Sequence, residues 1–138
     1  MPTDAPRIAA ERPPQVLVVD DDADARFLVG AILGKHGWEV TEAADGATAL
    51  MMLGKHHDLS LVILDLGLPD IDGTLVLRAL RNSPETAHVP VMVLTGRTDR
   101  DTEHSVLELG ADDYIRKPLD PPILLMRAKA VLRRSRIA

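Results

Sequence analysis

The stretch "QVLVVDDDADAR", residues 15–26, decides the fold. Four consecutive apolar residues, Val16–Val19, suit a strand covered on both faces. That strand then stops in three adjacent aspartates, Asp20, Asp21 and Asp22. Unit charges 4 Å apart repel by roughly 1 kcal/mol in water and by several times more near a low-dielectric interior. A helix start, a bound cation, or both must offset that repulsion.

Outward from this stretch, strand and helix signals alternate. Ala25, Leu28, Val29, Ile32 and Leu33 follow at helical spacing, and Gly34–Gly37 end the element. "WEVTEA" (38–43) alternates like a more exposed strand, and "ADGATALMML" (44–53) predicts a helix ended by Gly54. "LSLVILDL" (59–66) is the most hydrophobic strand and again ends in an acid, Asp65. Asp72 can cap a helix over 73–81, which Asn82-Ser83-Pro84 stops. "VPVMVLT" (89–95) predicts a fourth strand, and Thr98 to Leu109 a polar-fronted helix closed by Gly110. "DDYIRKP" (112–118) holds a fifth strand, and Leu124, Ala128, Val131 and Leu132 line one face of a last helix. Five strand–helix pairs argue for an α/β fold, a parallel sheet with helices on both faces. Ligands of such sheets bind at the carboxyl ends of the strands, which here carry Asp20/Asp21, Asp65, Thr95 and Lys117.

Composition narrows the functional classes. The 138 residues suit one domain, and the absence of cysteine removes disulfides, thiolate ligands and thiol nucleophiles. No apolar run reaches the ~20 residues that span a bilayer, and the N-terminus lacks the apolar core of a signal peptide. We therefore expect a cytoplasmic protein with no membrane partner. The net charge of −5 divides into +4 from Asp120 onward and −9 over the preceding 119 residues. With three aromatics (Phe27, Trp38, Tyr114), this body suits neither general nucleic-acid binding nor base stacking. Residues 1–14, with four prolines, read as a flexible leader, 15–134 as the domain and 135–138 as a tail.

Acidic oxygens from two strand ends make a site for a hard divalent cation such as Mg²⁺. A carboxylate there can also serve as a nucleophile and form an aspartyl phosphate. The phosphoryl group then needs an ammonium, which Lys117 offers, and a hydroxyl, which Thr95 offers. Gly67 and Gly96 allow close backbone approach.

"VLVVDDD", "VILDLGLPDIDG", "VMVLTGR" and "GADDYIRKPL" together closely resemble the receiver domain of two-component response regulators, over about residues 15–134. The resemblance implies a flavodoxin-like, doubly wound (βα)5 sandwich with strand order 2-1-3-4-5. It also implies Mg²⁺-dependent transfer of a phosphoryl group from a phosphohistidine on a histidine kinase or phosphotransfer protein to Asp65. By the same resemblance Asp21 touches the metal directly and Asp20 through water, with Asp65 and the Gly67 backbone carbonyl as further ligands. Thr95 and Lys117 contact the phosphoryl group, Lys117 ahead of a usually cis bond to Pro118, and Tyr114 is the aromatic switch that follows Thr95. Asp22 is left to cap the first helix.

The resemblance further implies an effector protein or linked output domain as downstream partner, and a homodimer through helix 4, strand 5 and helix 5. Asp113, Arg127 and Lys129 match the receivers that pair in that way. Glu103 stands where those carry a basic residue and Ile123 where they carry its acidic partner, so a less polar contact around Ile123 is expected instead. The competing classes are an aspartate-nucleophile phosphohydrolase and a phosphorylation-independent binding module. Such hydrolases place an acid two residues beyond the nucleophile, and here that residue is Gly67.

The remaining polar residues read as structural. Asp70 and Asp72 suit turn and cap roles, and the resemblance implies that Asp112 and Asp113 lie on the far face from the phosphorylation pocket. The adjacent His56 and His57 lack the i, i+4 spacing of a helical metal site. His36 and His88 read as loop or helix-end residues, and His104, beside Leu107, as half buried, with packing preferred over pH sensing.

Overall fold

The computed structural model describes residues 12–56, 58–96 and 100–137. In chain order, β1 (Gln15–Val19) leads to α1 (Ala23–Gly34), β2 (Glu39–Ala43) to α2 (Gly46–Lys55), and β3 (Leu61–Leu64) to α3 (Gly73–Asn82). β4 (Val91–Thr95) then leads to α4 (Arg100–Glu108) and β5 (Asp113–Arg116) to α5 (Pro121–Ile137). The sheet is parallel throughout, in the order β2-β1-β3-β4-β5 expected of the flavodoxin-like fold.

Both faces of the central strands are covered, which explains their unbroken apolar runs. One face gathers Leu17, Val19, Val62, Leu64 and Val93 against α2, α3 and α4 through Leu53, Leu77 and Val106. The other gathers Val16, Val18, Leu61 and Ile63 against α1 and α5 through Leu33 and Leu124. Each such side chain contributes roughly 1.5–3 kcal/mol by leaving water. Asp22, Asp45 and Asp72 cap α1, α2 and α3 by accepting from the backbone N–H of Asp24, Thr48 and Thr74.

The register sets the site. Val19 pairs with Leu64, so the next residues, Asp20 and Asp65, emerge side by side. Thr95 pairs with Arg116, so Lys117 follows on the same edge. The main-chain ladder runs one residue further at each point: Asp20 N–H donates to Ala43, Asp65 N–H to Val19 and Lys117 N–H to Thr95.

At the opposite end of the sheet, Asp112 accepts from the Val91 N–H at 2.8 Å, where β4 begins. Arg81 at the end of α3 pairs with it at 3.2 Å and donates to the carbonyls of Gly110, Ala87 and Val89. Asp112 and Asp113 therefore lie away from the acidic site, as expected.

Several expectations need amendment. Gly54 lies inside α2, whose last residue is Lys55. α5 itself extends to Ile137. α4 is described from Arg100, and Thr98 falls outside the described residues, as do residues 1–11 and His57. His104 is not half buried: its side chain is 77% exposed and faces Glu108 one turn on, at 3.4 Å. Leu107 is itself exposed, so the face they share looks outward, and Val106 alone carries the buried side of α4. Among the described residues no helix is long and apolar enough to cross a membrane.

Candidate functional site

Three carboxylates and one ammonium converge where β1, β3 and β5 end. Lys117 Nζ donates to Asp20 Oδ2 at 2.8 Å and to Asp65 Oδ2 at 3.0 Å. Asp20 Oδ1 accepts from the Asp22 N–H at 3.0 Å, and Asp65 Oδ1 from the Gly67 N–H at 3.2 Å. The Thr95 side chain hydrogen-bonds Asp65 from the end of β4. Asp20, Asp65 and Thr95 are buried, whereas Asp21 is exposed at the mouth. The peptide bond from Lys117 to Pro118 is cis.

The electrostatics separate the two buried acids. Burial pushes Asp20 above the usual carboxylate range; the Asp65 charge adds to this, and the Lys117 and Asp22 hydrogen bonds do not cancel it. Burial acts on Asp65 in the same direction, but hydrogen bonds from Lys117, Thr95 and the Gly67 N–H outweigh it and hold Asp65 low. Asp65 is thus the acid best kept as an anion. Burial works against the Lys117 ammonium too, yet its two carboxylate partners raise its pKa and keep it charged.

Among the described residues the three acids outnumber the one ammonium, which leaves an excess of negative charge. One oxygen each from Asp20, Asp21 and Asp65 lies within 4.8 Å of the others. Octahedral Mg²⁺ holds oxygens at about 2.1 Å, so opposite ligands sit about 4.2 Å apart. The set therefore fits a small, hard dication after slight contraction, and purely oxygen donors favour Mg²⁺ over softer metals. Gly67 lies beside Asp65 with open space where a side chain would be. Asp20, Asp21, Asp65, Thr95 and Lys117 thus come together as the sequence predicts.

Tyr114 is buried, and Val93 is its pairing partner on β4. Thr95, two residues beyond Val93, shares its sheet face, which makes Thr95 and Tyr114 diagonal neighbours. Tyr114 also borders a cleft of about 400 Å³ with Glu103, Arg116, Ile123 and Arg127. Within the chain Asp113 already pairs with Arg127 at 3.0 Å, and Glu103 with Arg116 at 3.8 Å. Ile123 is 40% exposed on the same surface.

Two more residues brace the site: Arg26, which sequence reading missed, and Asp70, which it gave a turn or cap role. Arg26 donates to the Asp20 carbonyl at 2.7 Å and pairs with Glu42 at 2.9 Å, tying α1 and β2 to the acidic loop. Asp70 reaches the backbone of α2 and does more than shape a turn. The Arg26–Glu42 and Asp70–Gly46 contacts leave no spacing signal, since they join residues 16 and 24 positions apart.

The response regulator receiver domain family model matches residues 16–129. The chain is 41% identical over 122 residues to the aerobic respiration control protein ArcA of Escherichia coli K12, covering 88% of this chain and 50% of that protein. It is 43% identical over 129 residues to the transcriptional regulatory protein AruR of Pseudomonas aeruginosa, covering 91% and 52%. A crystal structure of a CheY-like receiver domain protein from Methanospirillum hungatei superposes with a TM-score of 0.83 at 30% identity, covering 91% of this chain and 98% of that one. The chain spans about half the length of the curated relatives it matches.

Proposed function

This chain belongs to the response regulator receiver domain family of two-component signalling, and we propose that Asp65 is its phosphoacceptor, served by Mg²⁺, Thr95 and Lys117. The observation that carries the reading is Lys117 Nζ held between Asp20 and Asp65 at 2.8 and 3.0 Å, with Asp21 within ligand reach. An Asp65 oxygen forms the new P–O bond as the P–N bond of a phosphohistidine breaks, and the imidazole leaves with the electron pair. Lys117 and Thr95 already contact the attacking carboxylate, so small side-chain movements bring their donors to the incoming phosphoryl oxygens. Asp21, Asp65 and the Gly67 carbonyl would hold Mg²⁺ directly and Asp20 through water, adding positive charge beside those oxygens. No acid stands at Gly67 to protonate a leaving group, so the chain acts as a phosphoacceptor and its own slow phosphatase rather than a turnover phosphohydrolase.

The donor is a histidine kinase or phosphotransfer protein, in the cytoplasm. Phosphorylation draws Thr95 toward the new group, and Tyr114 on the neighbouring strand follows. The surface of α4, β5 and α5 then changes its affinity for an effector, a linked output domain or a second copy. In the homodimer, Ile123 supplies apolar contact where related receivers use an ion pair. Unchanged sedimentation of Ile123→Asp would remove that contact from the account.

Incubation with acetyl phosphate and Mg²⁺ followed by intact-mass measurement tests the proposal. One phosphoryl adduct is expected, absent with EDTA and absent in Asp65→Asn. Multiple turnover of a small phosphate ester with no adduct would favour the hydrolase.

A further inference from the structure

The loop between β3 and α3 carries Asp65 and Gly67, so whatever fixes this loop fixes the site. Its near end is anchored on itself. The Gly73 N–H donates to the Leu66 carbonyl at 2.8 Å, and Gly67 forms a bridge with Asp72. α3 also lies directly on the acceptor residue, because a β-carbon on Gly73 would stand 2.6 Å from the Asp65 carbonyl oxygen.

The far end is anchored on a different helix. Asp70 Oδ1 accepts from the Gly46 N–H at 2.8 Å and Oδ2 from the Ala47 N–H at 2.9 Å, the first two residues of α2. Oδ1 also accepts from the Ile71 N–H of its own loop at 3.0 Å. Ile71 packs onto Gly46, where any β-carbon would collide with it. α2 already has a cap of its own, Asp45, which accepts from the Thr48 N–H at 2.7 Å. The helix therefore has two acids at its start, and between them they satisfy three backbone donors that a helix leaves free. One acid belongs to the helix; the other comes from the acceptor loop, 24 residues away.

We propose that Asp70 is a positioning residue: by clamping the β3–α3 loop to the start of α2, it holds the Gly67 carbonyl and Asp65 at the spacing that Mg²⁺ requires. This rests on the phosphoacceptor reading above. Backbone hydrogen bonds, that of Gly46 foremost, keep the Asp70 carboxyl below its ordinary range, so the clamp is an anion on amide donors. Asp45 supplies the control, since its loss weakens the same helix end but leaves the loop attached.

The test uses the full chain and Mg²⁺ alone, titrated by calorimetry and by the amide resonance of Gly67. Supporting residues of metal ligands typically matter tenfold or more, so Asp70→Ala is expected to weaken Mg²⁺ binding about tenfold, and Asp45→Ala less than about twofold. At saturating Mg²⁺ the phosphorylation rate of Asp70→Ala should return to the wild-type value, because Asp65, Thr95 and Lys117 are intact. Asp70→Asn keeps one acceptor oxygen and should fall between; if the alanine variant does not fold, the asparagine variant carries the comparison. Equal weakening in the Asp45 and Asp70 variants, or wild-type affinity in the Asp70 variants, overturns the inference while leaving the phosphoacceptor reading standing. Failure of the wild-type chain to bind Mg²⁺ overturns both.

Discussion

Removing the negative charge of Asp21 should stabilise the metal-free protein and weaken its response to metal. Asp21 lies within 4.8 Å of both Asp20 and Asp65, while the Lys117 ammonium is engaged by the other two acids. At that distance and in water's dielectric each of the two repulsions amounts to roughly 1 kcal/mol. Screening at 0.1 M salt, with a Debye length of about 10 Å, leaves about 1 kcal/mol for the two together. Asp21→Asn is nearly isosteric, so this repulsion is the main change. For a chain of this size that corresponds to a rise in Tm of about 4 °C in EDTA. Mg²⁺ at 100 times its Kd should stabilise the wild type by about 2.7 kcal/mol, and the variant by much less. The order of the two melting curves should therefore reverse between EDTA and Mg²⁺, read by circular dichroism. A variant no more stable than wild type in EDTA, or one that gains as much from Mg²⁺, would refute the argument.

Three further outcomes follow from other contacts. Arg81→Ala leaves the carbonyls of Gly110, Ala87 and Val89 without their donor and should cost about 3 kcal/mol in urea unfolding, with Asp65 phosphorylation unaffected when the variant is folded. Gly73→Ala pushes α3 off the Asp65 backbone and should both destabilise by about 2 kcal/mol and slow phosphorylation, whereas Gly54→Ala, where the added carbon meets open space, should do neither. The Lys117 pKa is raised on folding, so its contribution is complete below the ordinary lysine value of 10.5 and is lost as pH rises through the higher folded value. Wild type should thus lose stability above pH 10.5 more steeply than Lys117→Met does, as measured by urea midpoints along an alkaline series.

The parts of this molecule that were legible in the sequence share a physical cause. "VLVV" and "LVIL" are apolar at every position because both sheet faces are covered, and an acid directly after such a run must stand at a strand's carboxyl end. Asp20 and Asp65 were thereby placed without coordinates, as were Thr95 and Lys117. The caps at Asp22 and Asp72 are local, one side chain bonding two residues ahead, and were legible for that reason.

What escaped depends on contacts that distant chain segments make only after folding. Arg81 carries no signal of its role in the sequence, because the Gly110 carbonyl that it meets lies 29 residues on. Asp70 reads as a turn residue until α2 arrives with two free N–H groups. His104 misled because a neighbouring leucine suggested a buried face, while Val106 alone takes α4 into the core. Gly54 misled because glycine commonly closes helices, yet here the next residue still has helical geometry.

The most direct test of the central claim is a crystal structure of the chain with Mg²⁺ and beryllofluoride, a mimic of a bound phosphoryl group. The account predicts beryllofluoride on an Asp65 carboxylate oxygen, with Lys117 Nζ and the Thr95 hydroxyl on its fluorides. It also predicts the ion held by Asp21, Asp65 and the Gly67 carbonyl. Beryllofluoride on another side chain, or an ion outside the Asp20–Asp21–Asp65 cluster, would contradict it.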